Sequence, residues 1–234
     1  MHSFVKDHRF PDATALVHAL TGEIKVDLEE AIAARGQASL VVSGGRSPAK
    51  LFAELAREKL DWPRVTITLV DERWVDPTDD ASNERLVREH LLTGEAAAAR
   101  FIGLKNASIS AAEGLDWTWR ALARIPRPFD VVILGMGDDG HTASLFPGSP
   151  GIQAALDDQA APGCVAMRAP VAPEERISLN LAALLDSRRI VLQIGGAAKW
   201  QKYQEAKAAG VVQVLPVRGV LHQRRVPVDV FWSP

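Results

Sequence analysis

The sequence is poor in the features that mark several large classes of protein. It has one cysteine among 234 residues, Cys164, which excludes an intramolecular disulfide and a multi-cysteine zinc site. The formal net charge is only -2, so the chain lacks the basic excess with which nucleic-acid-binding proteins replace phosphate counterions. No apolar run approaches the ~18 residues of a membrane span, and the first residues lack a signal-peptide pattern. We expect a cytoplasmic protein without nucleic-acid or membrane partners.

Two hydrolase signatures are also missing. The sequence contains no G-x-S-x-G motif, which an α/β-hydrolase would use to present its serine nucleophile. Its six histidines show no H-E-x-x-H or similar spacing, as a zinc hydrolase would require. Serine-based and zinc-based hydrolysis are therefore both poorly supported. Cys164 itself precedes an apolar stretch and is interpreted as a core residue.

What the sequence does contain is an alternation of short apolar segments with amphipathic ones. Helical spacing predicts a first helix over residues 11–35, ended by Gly36, and Ser47 followed by Pro48 predicts another helix start. In the helix predicted over 110–125, Trp117 is interpreted as a packing residue. The chain is predicted to fold as one domain, residues 1–234, with a Rossmann-like, open and mainly parallel sheet and helices on both faces. Strands are predicted over residues 39–42, 65–70, 100–104, 129–134, 164–169, 189–194 and 228–231.

The most informative stretch follows the predicted strand 129–134 and runs from Gly135 to His141. Its G-x-G-x-x-G spacing matches the dinucleotide-binding fingerprint. Two aspartates inside the motif would face a pyrophosphate, however, and no acidic residue ends a strand about twenty residues further on. A nicotinamide site is therefore disfavoured.

Polar turns end three other predicted strands. Ser43-Gly44-Gly45 lies before a helix start, where free N–H groups and the helix dipole suit a phosphate, although a plain strand-to-helix turn is the alternative. Asp71-Glu72-Arg73 ends another strand, with a solvated strand end as its alternative. Gly195-Gly196 follows a third strand and again precedes a predicted helix start, and Lys199 lies in the first turn of that helix. The carboxyl ends of parallel strands share one edge of the sheet, so these turns are predicted to form one site.

One histidine on a glycine turn, flanked by acids and joined by cations from other strand ends, suits hydrolysis of a phosphorylated sugar derivative. A neutral imidazole, with an ordinary pKa of about 6.5, can take a proton from water and return it to a leaving oxygen. Arginine can stabilise the oxyanion, while cations and a helix N-terminus can hold a phosphate.

The motifs together resemble the glucosamine-6-phosphate isomerase/6-phosphogluconolactonase family, and specifically its lactonase branch. The stretch from Gly135 to Pro147, G-M-G-D-D-G-H-T-A-S-L-F-P, is the most specific of them. The resemblance implies hydrolysis of 6-phospho-D-glucono-1,5-lactone to 6-phosphogluconate, in the oxidative pentose phosphate pathway. It also implies a glucosamine-6-phosphate isomerase-like fold and no metal or organic cofactor. The other matching motifs are S-G-G-R-S-P from Ser43, D-E-R from Asp71, Ser82-Asn83, R-I-S-L from Arg176, and G-x-x-x-K ending at Lys199.

Two other functions remain as alternatives. Glucosamine-6-phosphate deaminase has a similar histidine turn, but Phe146 stands where the deaminase carries a glutamate thought to assist ring opening. A catalytically silent sugar-phosphate-binding regulator is the second, and the presence of His141 argues against it. The chain departs from the lactonase pattern at Arg46, a position that is often serine, and at Ser178-Leu179-Asn180, which replaces the more usual Thr-Leu-Thr.

The resemblance and the chemistry give a hypothesis for the site. His141 is the general base, Asp139 supports it, Arg73 approaches the carbonyl oxygen, and Asp71 lines the same strand end. The substrate is expected to be a phosphorylated sugar lactone, and the protein a monomer. The phosphate is expected to be bound by Gly44, Gly45, Arg46, Arg176 and Lys199, with Ser43 and Ser144 nearby.

Overall fold

In the computed structural model of the protein, residues 4–234 are described, apart from the side chains of Arg46 and Ser47. Ten strands and eight α-helices lie in this part of the chain. The strands are β1 (Val5–Arg9), β2 (Ala38–Val42), β3 (Val65–Leu69), β4 (Asp71–Arg73), β5 (Arg100–Ile102), β6 (Phe129–Leu134), β7 (Cys164–Arg168), β8 (Glu175–Leu179), β9 (Ser187–Gly195) and β10 (Val228–Ser233). The helices are α1 (Ala13–Arg35), α2 (Arg46–Leu55), α3 (Asn83–His90), α4 (Ala111–Leu122), α5 (Ile152–Ala155), α6 (Leu181–Leu185), α7 (Ala197–Lys207) and α8 (Val217–His222).

Seven strands form a parallel sheet in the order β1-β10-β9-β6-β2-β3-β5. Every residue of β2 and of β6 is buried. Successive side chains of a strand point to opposite faces, so both faces of the sheet are covered at its centre. The predicted α/β fold with a mainly parallel sheet is confirmed.

The strand order reverses between β2 and β6. From β2 the chain moves outward through β3 to β5, then returns to β6 on the other side of β2 and continues through β9 to β10. Ligands of open α/β sheets bind beyond the carboxyl ends of the strands at such a reversal. The fold therefore points to the turns that follow β2 and β6 as the place for a site.

A second, smaller sheet corrects the prediction that strands and helices alternate throughout. Strands β4, β8 and β7 pair antiparallel in that order. Asp71-Glu72-Arg73 is thus a strand of its own rather than the polar end of the preceding strand. Val70 joins the two sheets, because its N–H donates to Val42 and its carbonyl accepts from Leu179. The pairing with β8 is what makes so polar a segment extended.

The N-terminal strand was also missed. Val5 to Arg9 pairs in parallel with β10, with Val5 opposite Val228. The His8 ring stacks on Phe231, with centroids 4.7 Å apart, and its Nε2 lies 2.7 Å from Oδ1 of Asp229. Edge strands expose much of their surface, so β1 has a polar sequence that gives no apolar signal.

Helix boundaries follow the capping signals with one exception, the start of α2, and one prediction about a helix side chain was wrong. Asp12 caps α1, and Gly36 ends it with a φ of 76°, as predicted for Gly36. The start at α2 was wrong: Gly45, with a φ of 110°, is the N-cap, so the helix begins at Arg46 and Ser47 lies inside it. Trp117 is 69% exposed rather than packed, because the buried face of α4 contains other residues.

Two further predictions concern burial and membrane insertion. Cys164 is partly buried and packs against the core, in keeping with its interpretation as a core residue. Among residues 4–234, no helix combines the length and the apolar character needed to cross a membrane.

Candidate active site

A cavity of about 420 Å³ opens beyond the carboxyl ends of β2, β6 and β9. It therefore lies at the switch point that the strand order defines. Four segments supply most of its walls, namely the turns after β2, β6 and β9 and the strand β4. The lining residues are Ser43, Gly44, Gly45, Pro48, Asp71, Arg73, Asn83, Leu134, Gly135, Met136, Gly137, His141, Ala143, Gln193 and Lys199.

The cavity brings together most of the site residues predicted from the sequence. Ser43, Gly44, Gly45, Asp71, Arg73, His141 and Lys199 all line it. Asp139 and Ser144 lie behind the lining, each bonded to a residue in it. Arg176 is outside the lining, and the side chain of Arg46 lies outside the described part of the chain.

His141 and Asp139 form a hydrogen-bonded pair. Nδ1 of His141 lies 2.6 Å from Oδ1 of Asp139, and the same oxygen accepts the His141 backbone N–H at 3.0 Å. Burial alone would raise the pKa of Asp139, but the two bonds and the charge of His141 outweigh it and lower that pKa below its usual value. The ionised carboxylate holds Nδ1, while Nε2 makes no hydrogen bond within the described residues.

The imidazole is also held on its flanks. A Cβ added to Gly137 would lie 2.2 Å from both Cε1 and Nδ1 of His141, so the ring rests directly against a backbone that only glycine leaves open. The ring of Phe146 lies on it at a centroid distance of 4.4 Å and an angle of 43°. The position of the ring is thus fixed by a carboxylate, a glycine and an aromatic side chain.

The backbone of this turn is sharply folded. Gly140 has a φ of 78°, and its N–H donates to the carbonyl of Gly137 at 3.0 Å. Ala143, which lines the cavity, has a φ of 50°, a conformation that residues with a side chain seldom adopt. Thr142 Oγ1 donates to the carbonyl of Gly135 at 2.8 Å and so closes the turn. Such strain in a non-glycine residue is characteristic of functional sites.

Asp71 is oriented by buried polar side chains. Oγ of Ser144 donates to its Oδ2 at 2.5 Å, and Nδ2 of Asn83 donates to its backbone carbonyl at 2.9 Å. Ser144 is 1% exposed. Its hydroxyl therefore holds the Asp71 carboxylate and does not face the cavity.

Glu72, between the two predicted site residues of β4, has a different environment. It is 1% exposed and accepts four hydrogen bonds, from Ser82 Oγ and from the backbone N–H groups of Arg73, Asn83 and Glu84. Burial raises its pKa, and these bonds oppose the rise. Glu72 caps the N-terminus of α3 and fixes Asn83, whose amide rests against Gly44.

The two arginines of the small sheet lie side by side. Arg73 and Arg176 are paired across β4 and β8, and a guanidinium N–H of Arg73 donates to the Ala81 carbonyl. Arg176 is 5% exposed, and its Nε and Nη1 have no hydrogen-bond partner within the described residues. Burial and then the charge of Arg73 lower the pKa of Arg176, against the opposing effect of Asp71 and Glu72.

Lys199 enters the cavity from the first turn of α7. The preceding Gly196 has a φ of 85°, and its carbonyl accepts from Trp232 Nε1 at 3.0 Å. No acidic side chain pairs with the Lys199 ammonium in the described part of the chain. Ser43 connects two of the turns, since its Oγ donates to Ile133 and accepts the Gly135 N–H.

Asn83 and Gln193 are lining residues that were not assigned to the site from the sequence. Ser82-Asn83 was matched as a motif of the family, and in the structure Ser82 is the N-cap residue of α3 while Asn83 is its first residue. Gln193 carries a signal that was available, because it is a polar residue within the apolar, buried part of β9 from Ile190 to Ile194. Within residues 4–234, no three His, Cys, Asp or Glu side chains cluster so as to hold a metal ion.

This geometry defines a class of protein, an α/β protein with a small-molecule site at the switch point of a parallel sheet. The chain belongs to the family of glucosamine-6-phosphate isomerases and 6-phosphogluconolactonases, which it matches over residues 11–232.

Individual relatives agree with this assignment. The chain is 45% identical to a 6-phosphogluconolactonase of Pseudomonas aeruginosa, over 95% of this chain and 92% of the relative. It is 42% identical to one of Rhizobium meliloti, over 97% and 98% of the two chains. The crystal structure of a 6-phosphogluconolactonase from Shewanella baltica superposes with a TM-score of 0.94 at 49% identity, covering 100% of this chain and 98% of that one. The family and the enzyme class predicted from the sequence are confirmed.

Proposed function

We propose that the protein hydrolyses 6-phospho-D-glucono-1,5-lactone to 6-phospho-D-gluconate, with His141 as general base. The observation that carries the proposal is the His141–Asp139 pair, held rigidly at a cavity that also contains Arg73 and Lys199. The relatives named above are lactonases for this substrate. A carboxylate on Nδ1 leaves Nε2 as the nitrogen that can accept a proton.

The reaction follows from these groups. Nε2 of His141 takes a proton from water as the water oxygen attacks the lactone carbonyl carbon. Negative charge then develops on the carbonyl oxygen, and Arg73 stabilises it. When the ring C–O bond breaks, the imidazolium returns its proton to the leaving oxygen. Asp139 stabilises the transient imidazolium, and Asp71 lines the same wall and helps to place the substrate.

The phosphate would be bound at the other end of the cavity. Gly44 and Gly45 lead into α2, whose first N–H groups and positive dipole end suit an anion. Among the described residues no carboxylate pairs with Lys199, which would supply a positive charge. We assign Arg176 to the same role on the family resemblance, with a movement of its guanidinium toward the cavity. Arg46 departs from the family pattern and is assigned to this role because it is the first residue of α2.

The deaminase alternative receives less support. Phe146, at the position of the deaminase glutamate, packs on the His141 ring and offers no proton-transfer group. A binding protein without catalysis would have no need for a base held from three sides. We further propose that the enzyme works as a monomer, because His141, Arg73, Lys199 and the N-terminus of α2, which the proposed reaction uses, all come from one chain, and that it serves the oxidative pentose phosphate pathway in the cytoplasm.

Freshly generated 6-phosphogluconolactone is the substrate to assay, with glucosamine 6-phosphate as the deaminase control. His141→Asn should lower kcat by about 10²–10⁴-fold with little change in KM, since it removes general-base catalysis and leaves binding groups in place. Replacement of His222, which bonds to the Ala206 carbonyl in another part of the protein, is the matched control. A fully active His141→Asn variant, or release of ammonia from glucosamine 6-phosphate, would contradict the proposal.

A further inference from the structure

Gln193 is a buried polar residue of the cavity whose hydrogen-bonding capacity is incompletely used. It lies in β9, where its neighbours Val191, Leu192 and Ile194 are at most 2% exposed. Gln193 itself is 8% exposed and lines the cavity together with Lys199. Its Oε1 is buried and has no hydrogen-bond partner within the described residues. A buried amide oxygen without a donor destabilises a protein, so its retention calls for a partner.

The chemistry of the amide indicates which partner fits. A carboxamide carries an acceptor oxygen and a donor NH₂ group, and half a turn about its last bond exchanges them. The dianion of a phosphate monoester has no O–H group and only accepts, so the 6-phosphate of the ligand can satisfy the NH₂ group but not the oxygen. A sugar hydroxyl both donates and accepts, and therefore satisfies whichever end of the amide faces it.

We infer that Gln193 is a specificity-determining residue that binds a hydroxyl group of the sugar-phosphate ligand. The inference rests on the proposed function, because it takes the ligand to be a phosphorylated polyhydroxy acid or its lactone. Gln193 enters the cavity from the strand that leads to Lys199. The strand β9 thus supplies a contact for the carbon chain through Gln193, and the helix α7 that follows it supplies one for the phosphate through Lys199. A site built in this way rejects ligands that lack the hydroxyl, because they leave the amide unpaired.

The test compares two probes by calorimetry, 6-phosphogluconate and inorganic phosphate. Gln193→Met has nearly the same length and no polar group, and Gln201→Met, at an exposed position of α7, is the matched control. Gln193→Met should raise the Kd of 6-phosphogluconate about five- to tenfold and leave the Kd of phosphate within twofold of wild type. Lys199→Ala should weaken both probes.

Thermal unfolding of the ligand-free protein separates this role from a structural one. Loss of an unpartnered buried oxygen should leave the Tm of Gln193→Met unchanged or raise it, while affinity falls. A lowered Tm with unaltered affinity would overturn the inference, and so would an equal loss for phosphate and 6-phosphogluconate. Gln193→Leu must reproduce the result, which guards against a folding defect of one variant.

The two proposals fail in different ways. Wild-type protein that binds 6-phosphogluconate through Gln193 but does not hydrolyse the lactone would refute only the proposed function. Wild-type protein that hydrolyses the lactone, with Gln193→Met indistinguishable from it in KM and in affinity for 6-phosphogluconate, would refute only the role of Gln193.

Discussion

Replacing Gly137 with alanine tests whether the placement of the imidazole is what makes the turn catalytic. The new Cβ would lie 2.2 Å from Cε1 and Nδ1 of His141 and 2.7 Å from Oδ1 of Asp139. Ordinary contact between carbon atoms is about 3.5–4 Å, so the ring must withdraw by more than about 1 Å. That movement breaks the 2.6 Å bond to Asp139 or carries both side chains away together.

A displacement of this size has a calculable effect on the rate. Misplacing a reacting group by about 1 Å costs on the order of 10²-fold, or about 2.7 kcal/mol of transition-state stabilisation. We therefore expect kcat of Gly137→Ala to fall about 10²-fold toward 6-phosphogluconolactone. The fold should be little affected, because Gly137 does not have a left-handed φ and the atoms that must move are ends of partly exposed side chains.

The control is a glycine-to-alanine substitution at a position where the new Cβ displaces no neighbouring atom. Gly22 lies within α1, and an added Cβ there meets no atom within 4 Å. Gly22→Ala should keep full activity and stabilise the protein by about 0.5–1 kcal/mol, since glycine is unfavourable inside a helix. Steady-state kinetics of both variants measure the effect on kcat, and thermal unfolding measures the effect on stability. A Gly137→Ala enzyme with wild-type kcat would show that the tight contact does not position the base.

Three further substitutions or treatments address the groups around the site. Glu72→Gln should destabilise the protein by about 1–3 kcal/mol, because an amide cannot accept all four hydrogen bonds that the carboxylate accepts. Thermal unfolding should show this loss as a Tm lower by ~2–4 °C per kcal/mol. Asp139→Asn should reduce stability near neutral pH but not in acid. The reason is that the pKa of Asp139 is lowered in the folded state. The ionised carboxylate therefore stabilises the protein above the unfolded pKa of about 3.9, and this stabilisation is lost as the pH falls through the folded pKa. Burial raises the pKa of Cys164 to about 12, so its thiol should resist Ellman's reagent at pH 8 until the protein is unfolded.

Each of these expectations has a result that would contradict it. For Glu72 the contrary result is an unchanged Tm, with the exposed Glu95→Gln as a control. For Asp139 it is a Tm difference from wild type that stays constant between pH 7 and pH 3. For Cys164 it is immediate modification of the native protein.

The centre of the sheet could be predicted because β2 and β6 are buried at every position and therefore appear as mainly apolar runs. Strand β1 could not, since only Val5 and His8 are partly shielded and the sequence Val-Lys-Asp-His-Arg looks like a loop. Strand β4 is stabilised by pairing with β8, about a hundred residues later in the chain. A pairing between segments so far apart leaves no periodicity in either of them.

The site residues likewise include some that could be assigned from the sequence and some that could not. Residues on glycine turns after apolar strands could be assigned, because the fold places those turns at one edge. Ser144 was expected near the phosphate and instead holds Asp71, and Arg176 lies outside the cavity wall. The hydrogen-bond partner of Ser144 and the position of Arg176 depend on tertiary contacts that the local sequence does not specify. Gln193 could have been found by asking why the buried part of a strand keeps an amide two residues before its final glycine.

The pairing of β1 with β10 also bears on how the protein is made. Strand β1 leaves the ribosome long before its partner β10 has been synthesised, because the bonded pair His8–Asp229 spans 221 positions of the chain. Until β10 is present, β1 has no place in the sheet and one edge of β9 stays open to other chains. Loss of β10 would therefore remove two strands from the sheet, because β10 is the strand with which β1 pairs.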